Sequence, residues 1–272
     1  MVEPGSTGGQ PGRLDTHTPN IARMNHHYLG GRETFQADRD AAERAIAALP
    51  QMRASVLAAR AFGRRAVRFL AAEAGIDQFL ELGVGLPVKD PVHEVALEVI
   101  GDVRVAYVDY DPVVVSHGNA SLVRPGVSIV VRADLREPAT LLELPELRAH
   151  LDFDRPIGVL LVSTLHFISD HDGPYDILAA IRDALVPGSY LVLSHFSLDF
   201  IPDQVAARRV LAAYDAATER LLPRGRDEIL RFFDGFDLVE PGLVPKPQWR
   251  PGPGEDGGDM TDVGWCGVGR LN

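Results

Sequence analysis

The amino-acid sequence predicts an α/β protein: a doubly wound, mostly parallel sheet that ends in an antiparallel hairpin and follows a helical N-terminal extension. Three observations carry this. From residue 78 onward, short apolar strand candidates alternate with helical segments, the rhythm of successive βαβ crossovers. Ile157-Gly158-Val159-Leu160-Leu161-Val162 is a nearly continuous apolar run, as expected of a central parallel strand covered on both faces. Near the C-terminal end two strand candidates, Phe236 to Leu243 and Trp265 to Gly269, are separated only by a loop, which suits an antiparallel pair at one sheet edge.

In chain order, residues 1–20 are rich in Gly, Pro and Thr and read as a flexible arm lacking the apolar stretch of a signal peptide. Residues 21–75 read as a helical cap. Within them Ile21 to Arg39 mixes aromatic and polar side chains around Gly30-Gly31, Ala37 to Leu49 is an alanine-rich helix stopped by Pro50, and Met52 to Glu73 is a longer helix. In that helix Val56, Ala59, Phe62, Ala66 and Phe69 recur at helical spacing, and Gly75 closes it. Residues 76–272 then read as a Rossmann-like domain. Its strands are expected at Gln78–Leu82, Arg104–Asp109, Val127–Ala133, Ile157–Val162 and Tyr190–Ser194, with helices at Val92–Ile100, from Pro112, and at Tyr175–Leu185. Two further helices, Asp203 to Leu222 and Arg226 to Phe233, precede the terminal strands.

Bulk properties narrow the functional classes. With 272 residues the chain has room for one large domain with an appendage, at roughly 100–200 residues per domain. A formal net charge of -11 disfavours nucleic acid, whose binders show a basic footprint. Arg60, Arg64, Arg65 and Arg68 share a helical face and are expected to be solvated and paired with acidic neighbours. The single cysteine, Cys266, excludes an intrachain disulfide and a cysteine-based zinc site. His26 and His27 lack a third ligand at convincing spacing, so no metal is expected. No apolar run reaches the ~18–20 residues that cross a bilayer, and a cytoplasmic protein is expected. Nothing in the sequence fixes the oligomeric state.

The chemistry gathers at the strand ends. Gly83 and Gly85, after the first strand, let the backbone turn tightly and approach a ligand. The third glycine of a dinucleotide fingerprint is absent, Val88 standing in its place, which argues for a nucleoside ligand without a pyrophosphate. Asp109, ending the second strand, suits two ribose hydroxyls. Asp111 is its understudy, although Asp before Pro112 is also a common helix cap. Asp134 ends the third strand and can accept from an adenine amino group while Leu135 packs on the ring. Together with Glu81 these make three acidic strand ends in succession. The fourth strand ends in Ser163-Thr164-Leu165-His166-Phe167, where the reactive end of a bound nucleoside would lie. His166 is the candidate general base, with His195 beyond the fifth strand as a weaker one. Asn25, His26, Tyr28, Phe35 and Phe167 are expected to form the pocket for a second substrate.

With these residues the chain resembles the actinobacterial S-adenosyl methyltransferase family once known only as a domain of unknown function. The likeness runs from Asp15 to the C-terminal end. It rests on Leu29-Gly30-Gly31, Ala37-Asp38-Arg39, the turn Gly83 to Pro87, Val92-His93-Glu94-Val95-Ala96, Tyr107-Val108-Asp109, Ala133-Asp134-Leu135-Arg136, Leu165-His166-Phe167 and Pro187-Gly188-Ser189-Tyr190. The resemblance implies a seven-stranded class I methyltransferase fold, with S-adenosylmethionine held at Glu81, Gly83, Gly85, Asp109 and Asp134. The activity it implies is in-line methyl transfer to an acceptor expected to be a small molecule. The alternative is a catalytically silent S-adenosylmethionine-binding sensor or interaction protein.

Overall fold

A computed structural model of the protein describes residues 14–252 and 262–272. Residues 1–13 of the expected arm, and residues 253–261 of the Pro/Gly/Asp-rich stretch, lie outside the described residues.

Three helices, α1 (Ile21–Tyr28), α2 (Gln36–Ala48) and α3 (Met52–Ala72), precede the sheet. Helix α1 is absent from the sequence expectation because its inward face is partly polar. Arg23 is buried on it and meets Asp38 of α2 at 2.7 Å, so no apolar stripe marks the helix. Its start is set by Asn20, whose side chain accepts from the Arg23 N–H. Helix α3 ends where Gly75 takes φ +72° and the Ile76 N–H reaches back to the Leu70 carbonyl.

The sheet then forms through β1 (Gln78–Leu82), α4 (Val92–Leu97), β2 (Arg104–Asp109), α5 (Pro112–Ser121), β3 (Ser128–Arg132), the short helices α6 (Pro138–Leu142) and α7 (Pro145–His150), and β4 (Gly158–Val162). It continues through α8 (Pro174–Asp183), β5 (Tyr190–Phe196), α9 (Gln204–Ala212), α10 (Arg226–Leu230), β6 (Phe236–Leu238), β7 (Val244–Pro245) and β8 (Gly264–Leu271). The strand order is β3-β2-β1-β4-β5-β8-β6, with β1 to β5 parallel, β8 antiparallel to both its neighbours, and the two-residue β7 paired to β8. This is the doubly wound, mostly parallel sheet with an antiparallel end that the sequence predicts, plus a minimal eighth strand. The order reverses between β1 and β4, which opens a crevice beyond their carboxyl ends.

Period-two alternation divides the core. Leu80 and Leu82 of β1 face the cluster completed by Val159, Leu161, Leu193 and Ile177, while Phe79 joins Phe62, Leu70, Val105 and Trp249 on the α3 side. Glu81 shares Phe79's parity and is therefore buried under α3. A third cluster ties α1 and α2 to α9 through Met24, Tyr28, Ala45, Val210 and Tyr214. No helix among the described residues is long and apolar enough to cross a membrane.

Among the boundaries that differ from expectation, two shift for a tertiary reason and one for a local one. The helix expected to run from Asp203 to Leu222 stops at Ala212. Beyond it the Thr218 N–H bonds the Pro19 carbonyl and the Leu222 N–H bonds the His166 carbonyl, and these long-range bonds override good local helix formers. Strand β5 extends to Phe196 because β8 pairs with it to Gly264, so His195 lies inside the strand rather than after it. The expected strand Phe236 to Leu243 shortens to Phe236–Leu238, since Pro241 has no N–H for a ladder.

Candidate active site

The crevice between β1 and β4 opens into a single cleft bordered by the ends of β1 to β5, by α1 and α3, and by the 213–222 segment. Its first half is built around the glycine turn. Gly83 and Gly85 take φ +74° and +67°. The Gly83 and Val84 N–H groups donate to the Val108 carbonyl, and a Cβ at position 83 would lie 2.5 Å from Thr164 Cγ2. Thr164 Oγ1 in turn donates to the Leu82 carbonyl, so the turn is pinned between the ends of β2 and β4. Asp109 accepts from the Gly85 N–H at 3.0 Å and from the Asp111 N–H at 3.0 Å, which fixes its carboxylate at the cleft wall. Burial raises its pKa, against the lowering effect of those backbone donors.

Glu81 is the second carboxyl here. Burial pushes its pKa up to about 7, with Asp109 adding to the rise and Arg60, 3.9 Å away, opposing it. Arg60 is thus turned onto a buried acid rather than solvated as expected, while Arg64 and Arg68 pair with Asp90 and Glu98 at the surface. Arg65 donates to the Trp249 and Lys246 carbonyls.

Asp111, expected as a cofactor ligand, has both oxygens engaged. One caps α5 through the Val113 N–H and the other accepts from Asn20 Nδ2 at 2.8 Å, so Asp111 serves as a helix cap at the cleft wall. Asp134 lines the cleft but is gripped by Arg136, with Nε to Oδ1 at 2.9 Å and Nη2 to Oδ2 at 2.7 Å. Burial works against its charge, yet the Arg136 hydrogen bonds outweigh it and lower the pKa. Arg136 continues to Glu219 at 3.3 Å and lies over the Tyr110 ring. Leu135 is buried beside this pair. Ser163, at φ +62°, donates its N–H to Ser194 Oγ, and it lines the same cleft.

The second half holds the two histidines, and here the general-base expectation needs correction. His166 is buried, and its Nδ1 accepts from the Phe196 N–H at 3.2 Å. The ring is neutral, because burial, reinforced by His195, Lys246 and Arg224, holds its pKa well below the usual value. A neutral imidazole that accepts at Nδ1 carries its hydrogen on Nε2, so the free nitrogen is a donor and not a base. His195 is fully occupied: Nδ1 donates to the Phe196 carbonyl at 2.7 Å and Nε2 accepts from Arg224 Nη1 at 3.1 Å. Burial pushes its pKa down to about 3. Arg224 is anchored behind the pair by the Leu165 and Ile168 carbonyls and by Asp170.

Of the residues expected to meet a second substrate, Asn25, Tyr28 and Phe167 line the cleft. Tyr28 shares a 2.8 Å hydrogen bond with Tyr214 from the 213–222 segment. Phe35 does not line it, because it caps α2 with its ring under the Arg23 guanidinium. His26 does not either. Its ring lies over Gly31 and lines a separate shallow groove outside the glycine turn, with Leu86, Pro87 and His117. Among the described residues no group of three metal-ligating side chains occurs.

Lys246, Tyr214, Asn20 and Glu219 line the cleft without having been foreseen. Lys246 is the most instructive. It is 3% exposed, and its Nζ meets Asp262 at 2.7 Å across Gly264, where a Cβ would lie 2.7 Å from that nitrogen. The available signal was a lone lysine between two prolines, Pro245-Lys246-Pro247, in a stretch otherwise poor in cations.

With this geometry in place, comparison with known families gives a match over residues 7–272 to a family described as S-adenosyl methyltransferase. The chain belongs to that family. The methyltransferase is similar to a solved structure described as a candidate methyltransferase from Thermobifida fusca, at 40% identity and TM-score 0.88, over 98% of this chain and 100% of that one. It is similar also to a DUF574-family protein from Streptomyces avermitilis, at 34% identity and TM-score 0.90, over 96% of this chain and 100% of that one. A methyltransferase described as S-adenosylmethionine-dependent, from Anabaena variabilis, shares the fold alone, at 13% identity and TM-score 0.52 over 96% of this chain and 100% of that one. No curated protein matches the chain. The enzyme class is therefore S-adenosylmethionine-dependent methyltransferase, with S-adenosylmethionine as its cofactor. The binding-only alternative gains no support from these findings.

The first half of the cleft fits that cofactor on its own terms. The glycine turn is a cradle that a Cβ at position 83 would fill, the Asp109 carboxylate is held ready for hydroxyl donors, and a buried carboxyl near neutrality at Glu81 suits an adjacent cation.

Proposed function

We propose that this methyltransferase acts on a small-molecule acceptor held in the second half of the same cleft, in the cytoplasm. The observation that carries the reading is the cleft's lining: beyond the glycine turn it is bordered by the aromatic side chains Tyr28, Phe167, Phe196 and Tyr214, the apolar and aromatic wall typical of small-molecule pockets. A chamber roofed in this way admits a small molecule more readily than a protein or nucleic-acid chain, and the net charge of -11 points the same way. The free, buried Cys266 suits a reducing compartment.

In this reading Gly83 and Gly85 let the backbone approach the cofactor, Asp109 accepts from the ribose hydroxyls, and Leu135 with the Asp134–Arg136 pair borders the adenine. Arg136 uses three donors, its backbone N–H, Nε and Nη2, on the roughly four lone-pair sites of the Asp134 carboxylate, which leaves one site to accept from an amino group. Glu81 balances the cofactor's positive charge, and Ser163 marks the passage to the reactive end. S-adenosylmethionine, when bound, supplies a methyl group on sulfonium sulfur that an acceptor displaces in line. The protein's share is positioning and exclusion of water. Segment 21–75 serves as the cap over the Rossmann-like unit of residues 76–272. The test is transfer of isotope-labelled methyl from S-adenosylmethionine in cell extract. Label is expected in the small-molecule fraction, and label confined to protein or nucleic acid contradicts the reading.

A further inference from the structure

Among the described residues, the second half of the cleft contains donors and cations but no available base. The carboxylates that line the cleft, Glu81, Asp109, Asp111, Asp134 and Glu219, all belong to the glycine turn, the α5 cap or the Arg136 cluster. At the other end His166 presents Nε2–H and both His195 nitrogens are in use. The Tyr28 and Tyr214 hydroxyls bond each other, and burial raises the pKa of both. Lys246 lines the same cleft as a cation, its Nζ 2.7 Å from Asp262. Its partner Asp262 is saturated, since it also accepts from Ser55 Oγ, the Lys246 N–H and the Val263 N–H. Lys246 Nζ carries three hydrogens, of which Asp262 engages one.

A nucleophile used here must arrive without a proton to lose, and it meets positive charge. An amine fits poorly, because its methylation creates a second ammonium beside Lys246. A hydroxyl fits poorly, because none of the described groups lining this half is free to take its proton. We infer that the second half of the cleft is a carboxylate site, and that the acceptor is a small apolar carboxylic acid methylated on oxygen, with Lys246 and His166 as specificity-determining donors. The inference rests on the methyltransferase reading above. One carboxylate oxygen bonds the methyl carbon as the carbon–sulfur bond breaks and its electron pair returns to sulfur. A neutral methyl ester and S-adenosylhomocysteine result, and no proton leaves the acceptor.

The experiment uses the full chain in two stages. S-adenosylhomocysteine is first titrated by calorimetry. The loaded protein is then titrated with benzoate and phenylacetate, and with benzyl alcohol and benzylamine as neutral and cationic counterparts. The same four compounds are assayed with S-adenosylmethionine for methylated product by mass. The carboxylates are expected to bind at least about tenfold more tightly than their counterparts, about 1.4 kcal/mol, and to give methyl esters. Lys246→Met combined with Asp262→Asn, which removes both charges of the buried pair, should abolish that preference and leave S-adenosylhomocysteine affinity unchanged. If the double variant does not fold, His166→Phe, which leaves the ion pair intact, should weaken carboxylate binding about tenfold. Carboxylates that bind and react no better than the alcohol or amine overturn the inference, as does a preference that survives these variants. Failure of S-adenosylhomocysteine itself to bind overturns the underlying reading as well, so the two failures are distinguishable.

Discussion

The two halves of the cleft are made differently. The half proposed to hold the cofactor is assembled from residues at consecutive strand ends, Glu81, Gly83, Gly85, Asp109 and Asp134, and is held by hydrogen bonds between neighbouring strands. The half proposed for the acceptor is assembled from segments far apart in the chain. Tyr28 meets Tyr214, Ser55 meets Asp262, and Arg224 meets His195 and Asp170. In the first half topology alone converges the side chains, since parallel strands in one sheet end on one edge. In the second, each contact depends on a tertiary approach that no local pattern encodes. The two halves should therefore respond to different substitutions.

The largest effect is expected at Gly83. An alanine there meets both an unfavourable positive φ and a Cβ 2.5 Å from Thr164, and should cost about 3 kcal/mol of stability or more, read as a fall in Tm. Gly85→Ala has the same sign of φ but open space around the Cβ, so its loss should stay near 1–2 kcal/mol. Equal losses at the two positions would remove the distinction between clamp and turn.

Asp109→Asn should weaken S-adenosylhomocysteine about 10- to 100-fold by calorimetry, as expected for charged hydrogen bonds to ribose. Binding at the acceptor half should be unaffected. Undiminished cofactor affinity would detach Asp109 from the site.

Glu81 sets a pH dependence. Its folded pKa of about 7 lies above the ordinary 4.5, so the folded state holds this proton more tightly than the unfolded one. Its contribution to stability is full below 4.5 and is lost as pH rises through about 7. A cation beside it reverses the preference. S-adenosylmethionine, whose sulfonium supplies that cation, should bind up to about tenfold more tightly at pH 8 than at pH 6, with proton release on binding, and Glu81→Gln should flatten the profile. A profile unchanged in the variant would assign the titration elsewhere. The smallest effect is expected at Tyr214→Phe, which removes one buried hydrogen bond to Tyr28 and should cost about 1 kcal/mol of stability without changing cofactor affinity.

Legibility in the sequence follows the same division. The parallel strands and the glycine turn were readable because apolar runs, strand-end acids and turn glycines are local signals. The polar face of α1 hid a helix, since buried Arg23 is matched only by Asp38 on the next helix. The 213–222 segment was misread as helix because its local propensity yields to bonds with Pro19 and His166. Asp111 was legible as a helix cap from the Asp-Pro pair, but not its second partner, because Asn20 lies 91 positions away. His166 lines the cleft, but its protonation pattern is set by the Phe196 N–H on another strand, which turns an expected base into a donor.

The most direct test of the account is the structure of the protein bound to S-adenosylhomocysteine. The account predicts the adenosine between Gly83–Gly85, Asp109 and Leu135, with the sulfur directed past Ser163 toward His166 and Lys246. A ligand seated instead in the outer groove beside His26 and His117, or with its sulfur turned away from the chamber under Tyr28 and Tyr214, would contradict it.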